Sequence, residues 1–221
     1  NDAIRDFSNL LLTCNKTKIT VTANGGVDFH WSTGETTNTK EISGAGEYTI
    51  EMADANSGCK ANYKFTVTEN KIAPAVTISG AKDITCKLTS MELIANNNAT
   101  TPSFKWSNGG TASNAIITAM GDYIVTVTDE SNGCSATKAV TISENKENVS
   151  VAIEGNEILT CDKESITLAA KANYADSYKW TDGSTNSSKV ISAAGANSVT
   201  VIYGACTATA SVSVSANKTV P

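Results

Sequence analysis

Cysteine and tryptophan are the residues of this chain whose types and spacing could support chemistry, and they recur together three times. A tryptophan lies between two cysteines in each occurrence: Cys14, Trp31 and Cys59; Cys86, Trp106 and Cys134; Cys161, Trp180 and Cys206. Cysteines at regular spacing predict either disulfides or a metal site. The sequence has no C-x-x-C spacing and a single histidine, which disfavours zinc. We therefore predict disulfides.

The segments around these cysteines also recur and divide the chain into three units. Leu-Thr-Cys, or Ile-Thr-Cys in the second unit, ends at each first cysteine, and successive first cysteines are 72 and 75 residues apart. Such a period has the length of a domain and exceeds that of a solenoid turn. We predict domains at residues 1–71, 72–146 and 147–221. Six cysteines allow fifteen pairings, of which the repeat favours one bond inside each unit: Cys14 with Cys59, Cys86 with Cys134 and Cys161 with Cys206.

Alternating hydrophobic residues predict β-strands within each unit. Side chains two positions apart share one face of a strand. The first unit has several such pairs, among them Ile19 and Val21, Phe29 and Trp31, and Tyr48 and Ile50. Gly, Asn, Asp, Ser and Thr fill the intervening segments, which predicts turns. We expect an all-β chain in which helix is nearly absent.

Short strands, a core tryptophan and a cysteine pair in each unit are typical of an immunoglobulin-like β-sandwich. We predict three tandem small sandwiches, each with one intradomain disulfide that joins the leading edge strand to the start of the last strand. Trp31, Trp106 and Trp180 are predicted core residues, because each shares a strand face with Phe or Tyr. Tyr48 and Tyr123 are predicted to be buried anchors whose hydroxyls have hydrogen-bond partners.

Catalysis is not indicated by the candidate residues. His30 is the only histidine, and Lys105 and Lys179 take its place in the other units. Its strand neighbours point to the core, so its own side chain is predicted to face outward. A serine nucleophile would need a histidine together with an orienting carboxylate, and nothing at its position recurs. We predict no enzyme activity and no cofactor.

Two turns invite a calcium interpretation. The segments that start at Asp54 and Asp129 contain Asp, Asn and Ser, whose oxygens are the ligands that calcium prefers. The same residue types make tight turns, because their side chains bond to the backbone. The third unit has no equivalent segment. Calcium at Asp54 and Asp129 is therefore the less favoured interpretation, and we assign no metal.

The loop before the tryptophan strand differs most between the units and is where we place any ligand site. Loops on a rigid scaffold carry recognition, although neutral drift gives the same variation. The candidate residues are Asn24, Asn97, Asn98, Asn173 and Tyr174. The expected partners are a surface ligand, either glycan or protein, and the neighbouring repeats of the same chain.

Charge and cysteine content restrict the compartment and the partners. The net charge is −5 and the isoelectric point is near 4.9, which disfavours nucleic acid and anionic membranes. The sequence has no apolar run long enough for membrane insertion. Disulfides persist in oxidising compartments, which predicts an extracellular location. We also expect the fragment to be monomeric. Asn1 lies within the leading segment of a unit and Pro221 matches Pro74, so we expect the parent array to be longer.

Two segments resemble a known repeat family. Gly46 to Asp54 followed by Gly58-Cys59, and Gly121 to Asp129 followed by Gly133-Cys134, resemble the G-x-Y-x-V-x-V-x-D…G-C signature of tandem repeats in large surface adhesins of Bacteroidota. Those repeats are immunoglobulin-like or PKD-like and include gliding-motility adhesins. The third unit lacks the tyrosine. The resemblance implies display on the bacterial outer surface, adhesion, and export by the secretion route typical of that phylum.

Two functional hypotheses follow. The first is a non-catalytic surface adhesin segment, in which disulfide-stabilised units form a stalk or an adhesion array. The second is a carbohydrate-binding array attached to a secreted enzyme, which would need a row of exposed aromatic side chains. The aromatic residues lie mainly on predicted inward faces, which favours the first hypothesis.

Overall fold

The computed structural model describes residues 10–218, and every helix or strand element in this range is a β-strand. Residues 1–9 and 219–221, the ends of the predicted first and third domains, lie outside it. Eighteen strands divide into three sets of six. The first repeat contains β1 Leu11–Thr13, β2 Ile19–Thr22, β3 Val27–Trp31, β4 Thr39–Ile42, β5 Gly46–Ala53 and β6 Lys60–Asn70. The second contains β7 Val76–Ser79, β8 Met91–Asn97, β9 Pro102–Trp106, β10 Asn114–Ile117, β11 Gly121–Asp129 and β12 Cys134–Ile142. The third contains β13 Val151–Glu154, β14 Ile166–Ala172, β15 Ser177–Trp180, β16 Ser188–Ile191, β17 Gly195–Tyr203 and β18 Cys206–Val214.

The first repeat is a β-sandwich of two sheets. β2 and β4 pair antiparallel in the smaller sheet, and the larger sheet has the order β1-β6-β5-β3. β1 runs parallel to the end of β6, with Leu11 opposite Thr68 and Thr13 opposite Asn70. The alternating hydrophobic residues of both sheets form one core: Leu12, Ile19, Val21, Ala23, Trp31, Ile42, Ile50, Met52, Phe65 and Val67.

The second and third repeats also have two sheets built from corresponding strands, and the smaller sheet gains a leading strand. β7 and β13 extend the smaller sheet, which gives the orders β10-β8-β7 and β13-β14-β16. The larger sheets have the orders β12-β11-β9 and β15-β17-β18. The counterpart of β1 is reduced to one parallel bridge in each repeat, Ile84 opposite Glu144 and Leu159 opposite Ala216.

Each tryptophan ends a strand and is buried, as expected for an immunoglobulin-like sandwich. Trp31, Trp106 and Trp180 are at most 4% exposed. Each indole N–H donates to the backbone oxygen six residues later, at 2.8 to 2.9 Å. This bond gives the indole its polar partner inside the core and fixes the turn that follows the strand.

The first repeat also has the tyrosine corner of such folds. The Tyr48 hydroxyl donates to the backbone oxygen of Gly44 at 2.9 Å, just before β5. Asn197 takes this position in the third repeat, is buried, and donates to the backbone oxygen of Gly195 at 3.2 Å. The all-β, immunoglobulin-like fold class is therefore confirmed.

The described residues form two compact units whose division runs through the second repeat. One unit consists of residues 10–79, 94–115 and 123–139, and the other of residues 80–93, 116–122 and 140–218. The division into three domains stays a prediction.

The predicted disulfide pairing is wrong. The bonds join Cys14 to Cys134 and Cys86 to Cys206, each across 120 residues, with Cα–Cα distances of 5.1 and 5.3 Å. Cys59 and Cys161 are free and exposed. Each bond therefore joins the first cysteine of one repeat to the second cysteine of the next repeat.

Strand direction explains why no bond forms inside the first repeat. The parallel pairing of β1 with the end of β6 places Cys14 beyond Thr13, next to Asn70. Cys59 precedes Lys60 at the opposite end of β6, which is 11 residues long. A strand of that length spans roughly 35 Å, whereas a disulfide requires Cα atoms within about 7 Å. The two cysteines lie at opposite ends of the same sandwich.

Candidate functional site

The first cysteine of each repeat lies in a four-residue turn of one design, which we call the cysteine turn: residues 13–16, 85–88 and 160–163. The threonine before the cysteine donates its N–H to the backbone oxygen three residues later, at 2.9 to 3.1 Å. Its hydroxyl accepts the N–H of that same later residue at 3.0 to 3.1 Å. The Thr-Cys sequence thus builds the same turn three times, through local hydrogen bonds.

The second cysteine of each repeat follows a tight turn before the last strand, which we call the acceptor loop: residues 54–59, 129–134 and 203–206. Gly58, Gly133 and Gly204 have φ values of 69°, 71° and 57°, a region that favours glycine. In the second and third repeats, the cysteine turn of the preceding repeat lies against this loop.

In the first junction, the Cys14–Cys134 bond is accompanied by a network centred on Asn132. The Cys14 N–H donates to the Asn132 backbone oxygen at 3.0 Å. The Asn132 side chain, 4% exposed, donates to the Asn70 side chain at 3.1 Å and to the Ile72 backbone oxygen at 3.0 Å. One buried amide thus ties the acceptor loop to the end of β6 and to the segment that follows it.

In the second junction, backbone contacts flank the Cys86–Cys206 bond. The Ala205 N–H donates to the Cys86 backbone oxygen at 2.7 Å. The Cys86 N–H donates to the Glu147 carboxylate at 3.1 Å. A Cβ atom on Gly204 would lie 2.0 Å from the Cys86 backbone oxygen, so only glycine permits this approach.

Charge also contributes to the second junction. Lys87 follows Cys86 and forms an ion pair with Asp176, which accepts the Gly204 N–H at 2.7 Å. The Lys87 ammonium and this N–H lower the pKa of Asp176 below its usual value. The Lys87 Nζ lies 4.4 Å from the ring centroid of Tyr203, a cation–π distance. These contacts position the cysteine turn in addition to the covalent bond.

Three of the predicted ligand-loop residues contact other segments of the protein. The Asn98 side chain accepts the Ala75 N–H at 2.7 Å, and the Asn173 side chain accepts the Ser150 N–H at 2.8 Å. Tyr174 packs against Tyr203, with 5.1 Å between ring centroids, beside the second junction. Asn98 and Asn173 therefore tie their loop to the chain before β7 or β13. Their role as ligand residues stays a prediction.

The other two candidates differ in exposure. Asn97 is half-buried, and its side chain accepts the Ala99 N–H at 3.0 Å. Asn24 is exposed and lines a groove of about 330 Å³ beside Cys59. Asn24 therefore borders an open concave surface.

The two aspartates considered for calcium hold turns. The Asp54 carboxylate accepts the N–H groups of Asn56 and Ser57, and the Ser57 hydroxyl, at 2.8 to 3.0 Å. Hydrogen bonds from Ser57 are the main cause of its lowered pKa. Among residues 10–218, no three His, Cys, Asp or Glu side chains come together as a metal site would need.

Asp129 accepts more bonds and is buried. It binds the Ser131 hydroxyl at 2.7 Å, the Thr100 N–H at 2.8 Å and the Thr101 N–H at 3.2 Å. These donors hold the pKa of Asp129 well below its usual range, with the Ser131 hydroxyl as the largest cause. The carboxylate joins the loop before β9 to the acceptor loop of the second repeat.

His30 is exposed on β3, opposite Glu51 of β5. Its Nδ1 atom lies 3.2 Å from the backbone oxygen of Asp28. The outward orientation predicted from the sequence is thus what the structure shows.

The junctions were missed by reasoning from the sequence because the repeat is equally regular under two pairings. Joining each first cysteine to the second cysteine of its own repeat or of the next repeat respects the same symmetry. The direction of β1 decides between the two pairings, since the residues before each first cysteine bridge in parallel to the end of the last strand, and the sequence alone does not give this direction.

Comparisons with known proteins give no family. No protein-family model matches the chain, and no curated protein matches it. Among solved structures, four-domain immunoglobulin fragments of Dscam1 and Sidekick-1 immunoglobulin domains 1–5 are similar to it. A Dscam1 fragment, isoform 7.44, has 12% identity and a TM-score of 0.31, and the match covers 94% of this chain and 70% of that one. Sidekick-1 has 12% identity and a TM-score of 0.37, with 95% and 57% covered. Scores this low support no inference about this chain, so its fold class rests on its own strand order and core.

Within the part of the chain that the structure describes, no helix has the length and apolarity needed to cross a membrane.

Proposed function

We propose that this chain is a non-catalytic, extracellular repeat segment of a surface adhesin and acts as a stalk whose consecutive repeats are cross-linked. One observation carries the proposal: Cys14–Cys134 and Cys86–Cys206 each join one repeat to the next. Disulfides persist in oxidising compartments, which supports an extracellular location. The resemblance to Bacteroidota adhesin repeats supports the bacterial outer surface as that location.

The chain segments closed by the two disulfides overlap, which would limit the extension of the protein under tension. Residues 86–134 lie inside both disulfide loops. The shortest covalent path from Cys14 to Cys206 crosses the first bond, returns along the chain from Cys134 to Cys86, and crosses the second bond. That path contains about 50 residues instead of about 190, which limits the extension of an unfolded segment to roughly 170 Å instead of roughly 650 Å.

Force spectroscopy on the full chain, held at its two termini, tests this proposal. In oxidising buffer we expect the chain between Cys14 and Cys206 to release no more than the short path allows. After reduction, unfolding should release the longer extension. A Cys59→Ser variant is the matched control, since Cys59 is free, and its oxidised extension should equal that of the parent. Release of the full extension without reductant would overturn the stalk proposal.

The alternative of a carbohydrate-binding array is less well supported, because the three tryptophans are buried. Tyr174 is exposed, but its ring packs against Tyr203. Glycan-array binding by the intact chain, tested with and without calcium, separates the two hypotheses. We expect no saturable binding through these aromatic residues. Binding that is abolished by Tyr174→Ala, with the fold unchanged, would favour the carbohydrate-binding array.

A further inference from the structure

The two free cysteines are equivalent to cysteines that are bonded elsewhere in the same chain. Cys161 corresponds to Cys14 and Cys86, which lie in cysteine turns and bond to the following repeat. Cys59 corresponds to Cys134 and Cys206, which end acceptor loops and bond to the preceding repeat. Two occupied sites thus show what each free cysteine is shaped to bind: Cys161 fits an acceptor loop, and Cys59 fits a cysteine turn.

The cysteine turn around Cys161 is already formed. The Thr160 N–H donates to the Lys163 backbone oxygen at 3.1 Å, and the Lys163 N–H donates to the Thr160 hydroxyl at 3.1 Å. The bonded turn at Thr85 has the same two bonds, at 3.1 and 3.0 Å to Leu88. Because Cys161 is exposed, its thiol is presented without rearrangement of the turn.

The acceptor loop at Cys59 borders an open groove. This groove, of about 330 Å³, is lined by the loop before β3 and by the start of β6, and its lining includes Asn24, Gly25, Asp54, Cys59 and Lys60. In the third repeat, the corresponding loop before β15 and acceptor loop hold Lys87 and Cys86 of the incoming turn, through Asp176, Tyr203 and Gly204. The groove is thus the counterpart of a site that a cysteine turn fills elsewhere in the chain.

The space next to the acceptor-loop glycine differs between the first repeat and the other two repeats. A Cβ atom on Gly133 would lie 2.0 Å from the Asn15 side chain, and one on Gly204 would lie 2.0 Å from the Cys86 backbone oxygen. Both clashes are with the incoming cysteine turn. A Cβ atom on Gly58 would meet nothing within 4 Å. The space that a cysteine turn fills in the other repeats is open above Gly58.

We propose that the groove at Cys59 is a binding site for the cysteine turn of another copy of this chain, so that Cys161 of one copy forms a disulfide with Cys59 of the next. The repeat-to-repeat register then continues from copy to copy, head to tail. This inference rests on the observed disulfide register, which the stalk proposal shares, and not on the adhesive role. Cross-linking between copies can therefore fail while the stalk proposal stands, whereas loss of the Cys14–Cys134 and Cys86–Cys206 bonds would overturn both.

The oxidant that the reaction requires is a low-molecular-weight disulfide such as oxidised glutathione. The Cys161 thiolate attacks this disulfide, which forms a mixed disulfide and releases one reduced thiol. The Cys59 thiolate of the second copy then attacks the Cys161 sulfur and releases the second reduced thiol. Two protein thiols are oxidised to one disulfide, and one small disulfide is reduced to two thiols.

Two complementary variants of the full chain test the proposal. Cys59→Ser retains only Cys161 as a free thiol, and Cys161→Ser retains only Cys59. Each is incubated alone, and both are mixed in equal amounts, in a buffer of oxidised and reduced glutathione. Non-reducing electrophoresis follows the covalent dimer. We expect the mixture to form it at least tenfold faster than either variant alone, with a Cys59–Cys161 peptide after digestion. Equal rates in all three samples, or homodimers only, would overturn the proposal.

A glycine substitution tests whether docking at the groove directs the reaction. Gly58→Asn in the Cys161→Ser chain keeps a residue that tolerates positive φ and adds a side chain where the cysteine turn would lie. Gly109→Asn is the matched control, because Gly109 also has positive φ and open space for a Cβ atom. We expect Gly58→Asn to slow the cross-linking at least tenfold and Gly109→Asn to leave it unchanged. Equal rates for the two variants would refute docking at this groove.

Discussion

The bond between Cys14 and Cys134 gives a quantitative prediction that depends on its crossing from one repeat to the next. The perturbation is a cycle of three variants, Cys14→Ser, Cys134→Ser and the double variant. All three are made in a background in which the free Cys59 and Cys161 are already Ser, so that no other thiol can replace the lost partner. Cys14 and Cys134 form one disulfide in this structure, so replacing either cysteine should have the same effect as replacing both.

The magnitude follows from the length of the loop that the bond closes. The cysteines are 120 residues apart, and on the chain-entropy estimate, closing such a loop stabilises the folded state by about 5 kcal/mol. Each single variant should therefore lower the free energy of unfolding by about that amount, and the double variant by no more. The interaction energy of the cycle should be about as large as either single effect.

Chemical denaturation measures the size of the loss in unfolding free energy, and hydrogen exchange of the native protein shows where the effect is located. We expect either single variant to increase exchange in the first repeat and in β9, β11 and β12 of the second repeat, because the bond holds these parts together. Additive losses would refute the reasoning, because they require two independent bonds. No loss on Cys14→Ser in this background would also refute it, since a bond inside the first repeat would already have been removed with Cys59.

Three further predictions concern individual side chains. Tyr48→Phe should cost about 1 kcal/mol of unfolding free energy, because it removes the hydroxyl bond to the Gly44 backbone oxygen; an unchanged denaturation midpoint would contradict this. Trp106→Ala should lower the free energy of unfolding by about 3 to 5 kcal/mol, because it leaves a cavity where a side chain that is 1% exposed was packed. A loss of ligand binding without a loss of stability would instead place the indole in a binding site. Lys40 and Thr33 lower the pKa of Glu35 from its usual 4.5 to about 2. The stabilisation by this carboxylate should therefore be complete above pH 4.5 and be lost as the pH falls toward 2. Carboxyl NMR should show that Glu35 is still ionised at pH 3. Titration of Glu35 near pH 4.5 would contradict this prediction.

The strands and the core could be predicted from the sequence because they depend on local periodicity. Alternation placed Ile19 and Val21 on the inward face of one strand and Trp31 on the inward face of another, and the structure buries all three. The internal repeat then extended that prediction to the other two sets of strands. Tyr48 has the hydroxyl partner that was expected of it, but Tyr48 and Tyr123 are half-buried where they were predicted to be buried.

The disulfide pairing could not be predicted in this way, because it depends on which strand pairs with which. The residues before Cys14 form a strand that is parallel to the end of β6, which places the cysteine far from the start of β6. Periodicity describes one strand at a time and does not fix the direction of its neighbour. The choice between a bond within a repeat and a bond between repeats therefore required the sheet order.

The candidate binding loops have internal contacts that could not be predicted from the sequence, for a related reason. Asn98 and Asn173 were singled out because their loops vary, but their side chains bond to Ala75 and Ser150 in the segments that precede β7 and β13. Tyr174 lies beside the second junction, where Lys87 and Tyr203 also lie. Variation in these loops thus includes differences in how each junction is built, which no single repeat shows by its sequence.

Peptide mapping of the native chain tests the central claim most directly. The monomer is alkylated to block free thiols, digested without reduction, and searched by mass spectrometry for linked peptides. The structure predicts Cys14–Cys134 and Cys86–Cys206 peptides, with Cys59 and Cys161 alkylated. Peptides that link Cys14 to Cys59, Cys86 to Cys134 or Cys161 to Cys206 would contradict the cross-linking of consecutive repeats.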